Sequence, residues 1–308
     1  EGVFQFGGSS GIVELTKRVK PESLADLSAI NALYRPGPLD SGMAWKYPEY
    51  KEMPRRVHPD IDKILGETYG VIVYQEQVMA IVALVTGGSL ADADNARKII
   101  SKGKKGDIVW EGKMRSLEAH FKDKGSKIYP SQMVNSLWEE IVTFGRYGFN
   151  KSHSTAYSLM SYRMAWYKHF HPHAFYTALL NGDSENADSW LYAAARDGIK
   201  VKHPDINVSG VKWVTDGVVI YAPLTALKYF GEKQATEFLS IRGEHGEFKN
   251  FEELEKVPKR ILNARVKKQL YLGGALNGIS GSVLDYVPDF NELKDLSRRE
   301  KEIEALGY

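Results

Sequence analysis

The segment Tyr147–Ser154 reads YGFNKSHS and combines residue types that rarely belong together in a hydrophobic core. Gly148 gives the backbone the freedom to approach a ligand closely. The polar groups that follow are an amide, a cation and an imidazole: Asn150, Lys151 and His153. The run up to Phe170 is apolar at helical spacing, so Ser152 or Ser154 is predicted to cap a helix whose N-terminus attracts anions. The alternative is an ordinary capped helix preceded by a flexible loop.

A second group of cations lies earlier in the chain and contains no acid until Asp107. It consists of Arg97, Lys98, Lys102, Lys104 and Lys105. Solvated surfaces usually mix charges of both signs, so this one-sign stretch predicts a loop that faces phosphate. Arg35 adds a planar guanidinium held between turn residues and suited to phosphate oxygens. Together with Lys151 and His153, these cations predict a cationic pocket assembled from distant segments.

Metal sites are not expected in this chain. Asp92 and Asp94 precede a helical run, where side chains two residues apart point away from each other, and acids in a first helical turn usually offset the helix dipole. Three histidines alternate around Pro172 at a proline-broken helix end that offers no clear ligand geometry: His169, His171 and His173. No serine occupies a nucleophile elbow, so no nucleophilic serine is expected.

Composition limits the classes of protein without selecting one. The chain has 308 residues, a net charge of +2 and no cysteine. It is long enough for more than one domain. Because the net charge is so small, any surface that binds nucleic acid must come from local clusters of cations. Disulfides and thiolate zinc sites are excluded, and a reducing interior is favoured. Neither a membrane span nor a signal peptide is expected, and the first residue, Glu1, favours an excised piece.

Helical spacing dominates the first 180 residues. A helix over Leu24–Leu33 is expected to end at the turn Arg35–Pro38, where two prolines oppose a helix. Helices are also predicted for Gln75–Thr86 and for Met133–Phe144, the latter with Pro130 at its first position. The aromatic residues of the later run recur at helical spacing, which favours a core over a base-stacking platform: Tyr157, Tyr162, Trp166, Tyr167 and Phe170.

The remaining residues predict a smaller connector and two helical pairs. Residues 181–222 contain a short amphipathic helix over Trp190–Arg196 and alternating residues from 211 to 221, with Asp216 and Gly217 as a hairpin turn. Residues 223–281 follow with short helical segments. The tail, 282–308, is charged and is expected to form a linker helix.

Several blocks of the chain resemble, in order, the C-family bacterial replicative DNA polymerases, the alpha subunits of DNA polymerase III. The octet resembles their GYGFNKSHS signature, and Ala32–Leu39 matches ALYRPGPL. Glu67–Met79 reads ETYGVIVYQEQVM and matches the family block throughout. Gly2–Gln5 resembles the start of the fingers region, and Ser89–Lys98 resembles SLGEADLLRR.

The resemblance implies a mainly α protein: a helical fingers domain (1–180), a small α/β connector (181–222), a tandem helix-hairpin-helix domain (223–281) and the linker helix. The residues expected to bind the incoming nucleotide are Arg35, Arg97, Lys98, Lys151 and His153. Those expected to contact DNA are Lys102, Lys104, Lys105, Tyr147, Asn150, Gly231, Lys233, Lys259, Arg260, Lys267 and Lys268.

The two expected hairpin elements lie at Leu224–Ala235 and Val257–Gly278. In such an element, a glycine hairpin presents backbone N–H groups to a DNA phosphate. The usual Gly-Val-Gly is replaced here by Tyr229-Phe230-Gly231, which weakens the prediction of phosphate contact at the first copy. The alternative interpretation is two packed helical hairpins with a solvated basic face.

The resemblance therefore implies the fingers and DNA-binding portion of a DNA-directed DNA polymerase. Its catalytic carboxylates and their Mg²⁺ belong to a palm upstream of this chain, so no cofactor is expected here. The expected partners are template-primer DNA, a deoxynucleoside triphosphate, the palm-containing remainder and a sliding clamp, although no clear clamp-binding peptide is found. The expected location is the cytoplasm of a bacterial or phage-infected cell. Two alternatives remain, a stand-alone DNA-binding accessory protein and a protein-interaction module.

Overall fold

The computed structural model describes residues 2–102 and 106–280, and over these residues the expected mainly α architecture is confirmed. The predicted linker helix, Lys104 and Lys105 lie outside the described residues. The first ten helices are α1 (Ser10–Val19), α2 (Leu24–Leu33), α3 (Pro36–Asp40), α4 (Met43–Glu52), α5 (Pro59–Leu65), α6 (Gln75–Thr86), α7 (Leu90–Lys102), α8 (Ile108–Gly125), α9 (Ser131–Gly145) and α10 (Lys151–Phe170). The others are α11 (Pro172–Gly182), α12 (Ala187–Arg196), α13 (Glu232–His245), α14 (Phe251–Glu255) and α15 (Ala264–Leu272).

Local sequence signals fix several of these boundaries. The predicted bounds of α2 and α6 are confirmed. The Ser23 side chain accepts from the backbone N–H of Asp26 and so caps α2. Ser89 and Asp92 cap α7 reciprocally, because the Ser89 hydroxyl accepts from the Asp92 N–H and the Asp92 carboxylate accepts from the Ser89 N–H. Asp92 and Asp94 therefore open a helix, as the sequence predicted.

Proline placement required two corrections. Arg35–Pro38 was expected to exclude a helix, but α3 begins at Pro36. Its prolines fall within the first turn, where the backbone N–H has no intrahelical acceptor and a fixed φ is helical. Pro130 was expected at the first helical position of α9 and instead precedes it as the N-cap residue.

The chain divides into two compact units, Glu1–Ala165 and Trp166–Tyr308. In the first unit, α1, α2, α4 and the segment 71–74 share one core, which includes Leu15, Ile30 and Tyr47. Helices α5 to α9 share another, centred on residues such as Ile81, Phe121 and Ile141. The domain boundaries predicted at 180, 222 and 281 stay predictions.

The second unit contains a small sheet of three strands, β1 (Lys200–Lys202), β2 (Val214–Thr215) and β3 (Val219–Tyr221), in the order β1-β3-β2. Strands β2 and β3 are antiparallel, and the predicted turn at Asp216-Gly217 lies between them. Strand β1 pairs with β3 in parallel. A separate core of this unit joins α13, α14 and α15, with Phe238, Leu254 and Leu270 fully buried.

The first predicted helix-hairpin-helix lacks its first helix. Only a 3₁₀ turn, Leu224–Ala226, precedes the hairpin, and α13 follows directly after Gly231. Tyr229 adopts a left-handed φ of +63°, a conformation that glycine favours. The apolar residues Leu224, Leu227 and Phe230 are buried, and they reach the core through this turn instead of through a helix.

Helix α10 contradicts the expectation that its aromatic residues form a core. Its fully buried side chains in the described residues are serines, Ser154, Ser158 and Ser161. They bond to α2 and to the N-terminal segment within the first unit. Ser154 donates to the carbonyl of Ser28, Ser158 accepts from the Asn31 amide, and Ser161 donates to the carbonyl of Phe4. Four of the five predicted core aromatics are exposed, namely Tyr162, Trp166, Tyr167 and Phe170. Among described residues, no helix is both long and apolar enough to span a bilayer.

Candidate functional site

The octet 147–154 is anchored on the residues that start α6. Phe149 and Tyr74 form a parallel bridge. The Gln75 N–H donates to the Phe149 carbonyl at 3.0 Å, and the Phe149 N–H donates to the Val73 carbonyl at 3.2 Å. A Cβ at Gly148 would lie 3.2 Å from backbone atoms of Gln75, so this position needs glycine for close approach of two backbones. The glycine serves an internal contact rather than the ligand approach inferred from the sequence.

The N-terminus of α10 is capped by Asn150, and not by either serine that the sequence suggested. The Asn150 carbonyl oxygen accepts from the backbone N–H of His153 at 2.8 Å. Glu76, from the first turn of α6, accepts the backbone N–H of Lys151 at 3.1 Å. It also accepts from the Asn150 amide at 3.0 Å. An internal carboxylate thus occupies the position at which an external anion was expected.

Lys151 extends from this helix start to a second carboxylate. Its Nζ lies 2.5 Å from Glu67 Oε2, and both side chains are about two-fifths exposed. The same ammonium lies 5.8 Å from the centroid of the Tyr74 ring. A cation held beside an aromatic face and one partly exposed carboxylate is restrained but remains open to solvent.

Arg97 and Lys98 share one acidic partner on their own helix. Arg97 donates to Asp94 Oδ1 at 2.8 Å and to the Gln75 side chain at 3.2 Å. Lys98 Nζ lies 2.7 Å from Asp94 Oδ2. Hydrogen bonds from Lys98 and then Arg97 hold the pKa of Asp94 below its ordinary value, so the carboxylate stays ionised. The bond to Gln75 brings Arg97 to the start of α6, beside the anchored octet.

Arg35 contacts the octet from the N-cap position of α3. Its guanidinium donates to the carbonyl of Tyr147 at 2.6 Å and to that of Ala32 at 2.7 Å. It also lies 4.3 Å from the centroid of the Phe149 ring. Burial lowers its pKa, although a guanidinium stays protonated.

A cavity of about 310 Å³ opens beside Arg35. His153 and Tyr157 line it from α10, and their rings lie 4.1 Å apart. Polar side chains from the first two helices and their approach, including Ser9 and Asn31, complete the wall. The cavity is therefore lined by one half-buried cation, aromatic rings and hydrogen-bonding groups.

The structure brings the predicted nucleotide-binding residues to the octet and the start of α6. It does not leave them as the one-sign cationic surface that sequence spacing suggested, because Glu67, Glu76 and Asp94 lie among them. The sequence analysis missed the roles of these three acids. Two of them lie in the block ETYGVIVYQEQVM that carries the family resemblance, and that placement was the available signal.

The other predicted DNA contacts of this unit have mixed placements. Tyr147 is 40% exposed, and its ring fills the space that a Cβ at Gly37 would need. The Asn150 side chain is engaged with Glu76 and with the α10 backbone. Lys102 ends α7. These positions stay predictions for DNA contact.

Five predicted DNA-binding residues of the second unit lie on its surface or near it. Gly231 precedes α13 and Lys233 lies in its first turn, and both are exposed. Lys259 and Arg260 are exposed in the turn before α15, where Arg260 pairs with Glu237 at 2.5 Å. Lys268 is half-buried on α15.

Lys267 needs a correction. It was expected to supply charge to DNA, but it is buried and paired with Glu255. Lys267 and Lys268 are consecutive on α15, so their side chains point in different directions. Lys267 lies on the buried side of the helix with Val266 and Leu270. Its role is to join α15 to α14.

Among the described residues, the two aspartates at the start of α7 do not fit a catalytic metal site. Asp92 caps α7 through Ser89, and Asp94 is committed to Arg97 and Lys98. Within residues 2–102 and 106–280, no group of three or more histidine, aspartate or glutamate side chains is placed to hold a metal ion. No chemical step through a metal is therefore assigned to these residues.

Comparison with known families matches the sequence to a named region. Residues 1–126 match the model of the bacterial DNA polymerase III alpha subunit finger domain, and residues 198–283 match a helix-hairpin-helix motif. The chain is 36% identical over 282 residues to the DNA polymerase III subunit alpha of Halalkalibacterium halodurans, covering 90% of this chain and 25% of that protein.

Two more relatives show the same coverage. The DNA polymerase III subunit alpha of Saccharopolyspora erythraea is 34% identical over 317 residues, covering 99% of this chain and 26% of the relative. That of Aquifex aeolicus is 36% identical over 285 residues, covering 90% and 24%. The chain thus spans about a quarter of the length of these curated relatives.

Proposed function

Because the chain belongs to the family of bacterial DNA polymerase III alpha subunits, in its finger and helix-hairpin-helix region, we propose that it binds the incoming nucleotide and template-primer DNA for a DNA-directed DNA polymerase. The observation that carries this proposal is the convergence of Arg35, Arg97 and Lys151 on one anchored segment. They come from three helices that are far apart in sequence. Such convergence suits one compact, highly charged ligand.

The ligand that fits is a deoxynucleoside triphosphate. Its phosphates carry several negative charges, and fixed cations are needed to hold them and the leaving pyrophosphate in line. Lys151, Arg97 and Lys98 supply the cations, and Arg35, stacked on Phe149, supplies a rigid planar donor. Binding then requires Lys151 and Lys98 to exchange carboxylate oxygens for phosphate oxygens, because both are paired in this structure.

His153 has a more local role in this proposal. Its ring lies between Phe149 and Tyr157, at centroid distances of 5.5 and 4.1 Å. This position lets the imidazole donate a hydrogen bond into the cavity beside Arg35 while its orientation is held by two rings. The cavity also offers aromatic faces against which a base or sugar packs.

The catalytic carboxylates and Mg²⁺ are placed outside this chain, in the palm of the polymerase. Two metal ions there would activate the primer hydroxyl and stabilise the leaving group. The residues described here orient the triphosphate and the DNA and hold charge. A sliding clamp and a location in the bacterial cytoplasm are further parts of the proposal that follow from the family.

DNA binding by the second unit is proposed to act through phosphates rather than bases. The exposed residues Gly231 and Lys233 lie at the start of α13, whose first-turn N–H groups favour negative charge. Lys259, Arg260 and Lys268 add cations from the turn before α15 and from that helix. Contacts of this kind give weak, sequence-independent affinity that falls with salt.

The test uses the full-length polymerase that contains this chain. Lys151→Ala is expected to lower kcat/KM for the nucleotide by roughly 10²-fold, by analogy with loss of one preorganised donor, and to change template-primer affinity far less. Lys122→Ala is the matched control, because Lys122 also pairs with one carboxylate at 2.5 Å but lies on α8. Normal nucleotide kinetics with weakened DNA binding would place Lys151 on the duplex backbone and contradict the proposed pocket.

A reconstitution assay tests the alternative of an accessory DNA-binding protein. When the chain is mixed with a palm-containing fragment, a fingers domain is expected to restore primer extension. An accessory protein would bind DNA and leave extension unchanged. A protein-interaction module would bind neither single-stranded nor duplex DNA in an anisotropy measurement.

A further inference from the structure

The exposed end of α10 carries a cluster of rings that the proposed function does not use. Trp166 lies at its centre, with ring centroids 5.2 Å from Tyr167, 5.1 Å from Phe170 and 5.2 Å from His171. His169 adds an edge contact to Phe170 at 4.6 Å. We call these five residues, Trp166, Tyr167, His169, Phe170 and His171, the ring cluster.

The ring cluster is open to solvent in spite of its size. Phe170 is 59% exposed, Tyr167 is 53% exposed and Trp166, at the centre, is 39% exposed. A cluster of large aromatic side chains with this much solvent exposure indicates an interaction surface. Their mutual contacts hold the rings in place before any ligand arrives, which lowers the entropy cost of binding.

The charge of the surrounding sequence selects the partner. Asp and Glu make up 39 of the 308 residues, yet none occurs between Ile141 and Gly182. The same stretch contains Arg146, Lys151, Arg163 and Lys168 and four of the eight histidines. Lys168 is paired with Asp197 at 3.0 Å and Lys151 with Glu67 at 2.5 Å, so acids from other segments neutralise two of these four cations. The stretch itself adds no negative charge, and Arg146 and Arg163 keep it positive, so its exposed rings suit a polyanion that carries aromatic groups.

We propose that the ring cluster is a stacking platform for single-stranded DNA, with Phe170 and Tyr167 each offering a face to an unpaired base. Unpaired bases stack on aromatic side chains without regard to sequence, whereas paired bases in a duplex present only their edges. The proposal rests on the proposed function only in taking DNA as the partner. It adds a site separate from the residues that contact nucleotide and duplex phosphates.

The test measures the anisotropy of a labelled oligothymidylate of about 16 nucleotides on titration with the 308-residue chain. Phe170→Leu is the decisive variant, because leucine keeps an apolar contact and loses the π face. It is expected to weaken binding about tenfold, and Phe170→Tyr is expected to bind as the original chain does. Tyr192→Ala is the matched control, since Tyr192 is 73% exposed on α12 and lies outside the ring cluster.

Each outcome decides between the interpretations. If Phe170→Leu and Phe170→Tyr both bind like the original chain, the rings do not stack on DNA, and an apolar contact with another protein segment explains their exposure. Duplex DNA is measured in parallel with the Lys259→Glu variant. If neither Lys259→Glu nor Phe170→Leu changes DNA affinity, the result contradicts the proposed DNA binding as well as the platform. If Lys259→Glu weakens duplex binding and Phe170→Leu leaves single-strand binding unchanged, only the platform is overturned.

Discussion

Glu67→Gln is expected to strengthen triphosphate binding, although it removes an ion pair with Lys151. Glu67 Oε2 lies 2.5 Å from Lys151 Nζ, so a phosphate oxygen bound to that ammonium would lie about 6 Å or less from the carboxylate. Two anions at this separation repel each other. Replacing the carboxylate by its neutral isostere removes the repulsion and frees Lys151 for phosphate.

The magnitude follows from the separation. Two unit charges about 6 Å apart in water interact by about 0.7 kcal/mol, and a Debye length of about 8 Å roughly halves this value. Summed over about four phosphate charges at similar distances, the repulsion is on the order of 1 kcal/mol. The expected result is an increase in affinity of about five- to tenfold.

The assay is calorimetric titration of a deoxynucleoside triphosphate into the chain at physiological salt, repeated at high salt. Glu118→Gln is the control, because it removes one carboxylate from an exposed pair with Lys122 on α8 and leaves the octet unchanged. An equal gain in both variants would assign the effect to net charge alone. A loss of affinity in Glu67→Gln would show that the carboxylate positions Lys151 for the substrate, and the exchange of partners would be refuted.

Three further predictions follow. The chain alone should not extend a primer with any divalent metal, and extension that persists after removal of contaminating polymerase would contradict the placement of the palm elsewhere. Lys259→Glu with Arg260→Glu should flatten the salt dependence of duplex binding, whereas an unchanged slope in anisotropy titrations would assign binding to other residues. Asp26→Asn should lower the free energy of unfolding by about 3 kcal/mol, because it breaks a buried ion pair with Lys51 and weakens the hydrogen bond from Tyr69. Urea titrations measure this loss, and a loss below about 1 kcal/mol would refute the prediction.

Asp26 also makes the free energy of unfolding depend on pH. Burial alone would raise the pKa of Asp26. Hydrogen bonds from Tyr69, the Glu22 backbone and Lys51 together outweigh burial, so the pKa lies below its ordinary value. The unfolded chain therefore binds this proton more readily. The contribution of Asp26 is complete above its unfolded pKa and is lost as the pH falls through its folded pKa. Asp26→Asn should remove that component of acid sensitivity.

The sequence predicted elements best where a single local signal determines the outcome. Helix α6 was bounded correctly because its apolar spacing ends at a glycine, and the β2-β3 turn was found because Asp216-Gly217 suits a hairpin. It failed at Pro36, because the rule against proline in helices does not hold in a first turn. The motifs identified the family, and the structure places the predicted cations Arg35, Arg97 and Lys151 around one segment, but spacing along the chain could not show the acids that pair with them.

The serine stripe of α10 shows why tertiary context was needed. Hydrophobic spacing assumes that the apolar side of a helix faces inward, and in α10 the inward side is polar. Ser154 and Ser158 allow close packing and satisfy groups on α2, including the carbonyl of Ser28. A periodicity argument cannot choose between two faces when the core offers hydrogen-bonding partners instead of an apolar surface.

The paired cations explain how the proposed nucleotide site is stable without a bound nucleotide. Lys151, Arg97 and Arg35 lie around one short segment, and without counter-charges their mutual repulsion would oppose the packing of α6, α7 and α10. Glu67 and Asp94 offset that repulsion at partly exposed positions, where an ion pair contributes little net energy and exchanges readily with a solvated anion. Glu76 differs because it holds the backbone at the α10 N-terminus, so exchange there would loosen the helix start. The triphosphate is therefore expected to replace Glu67 and Asp94 at the side chains and to leave Glu76 in place.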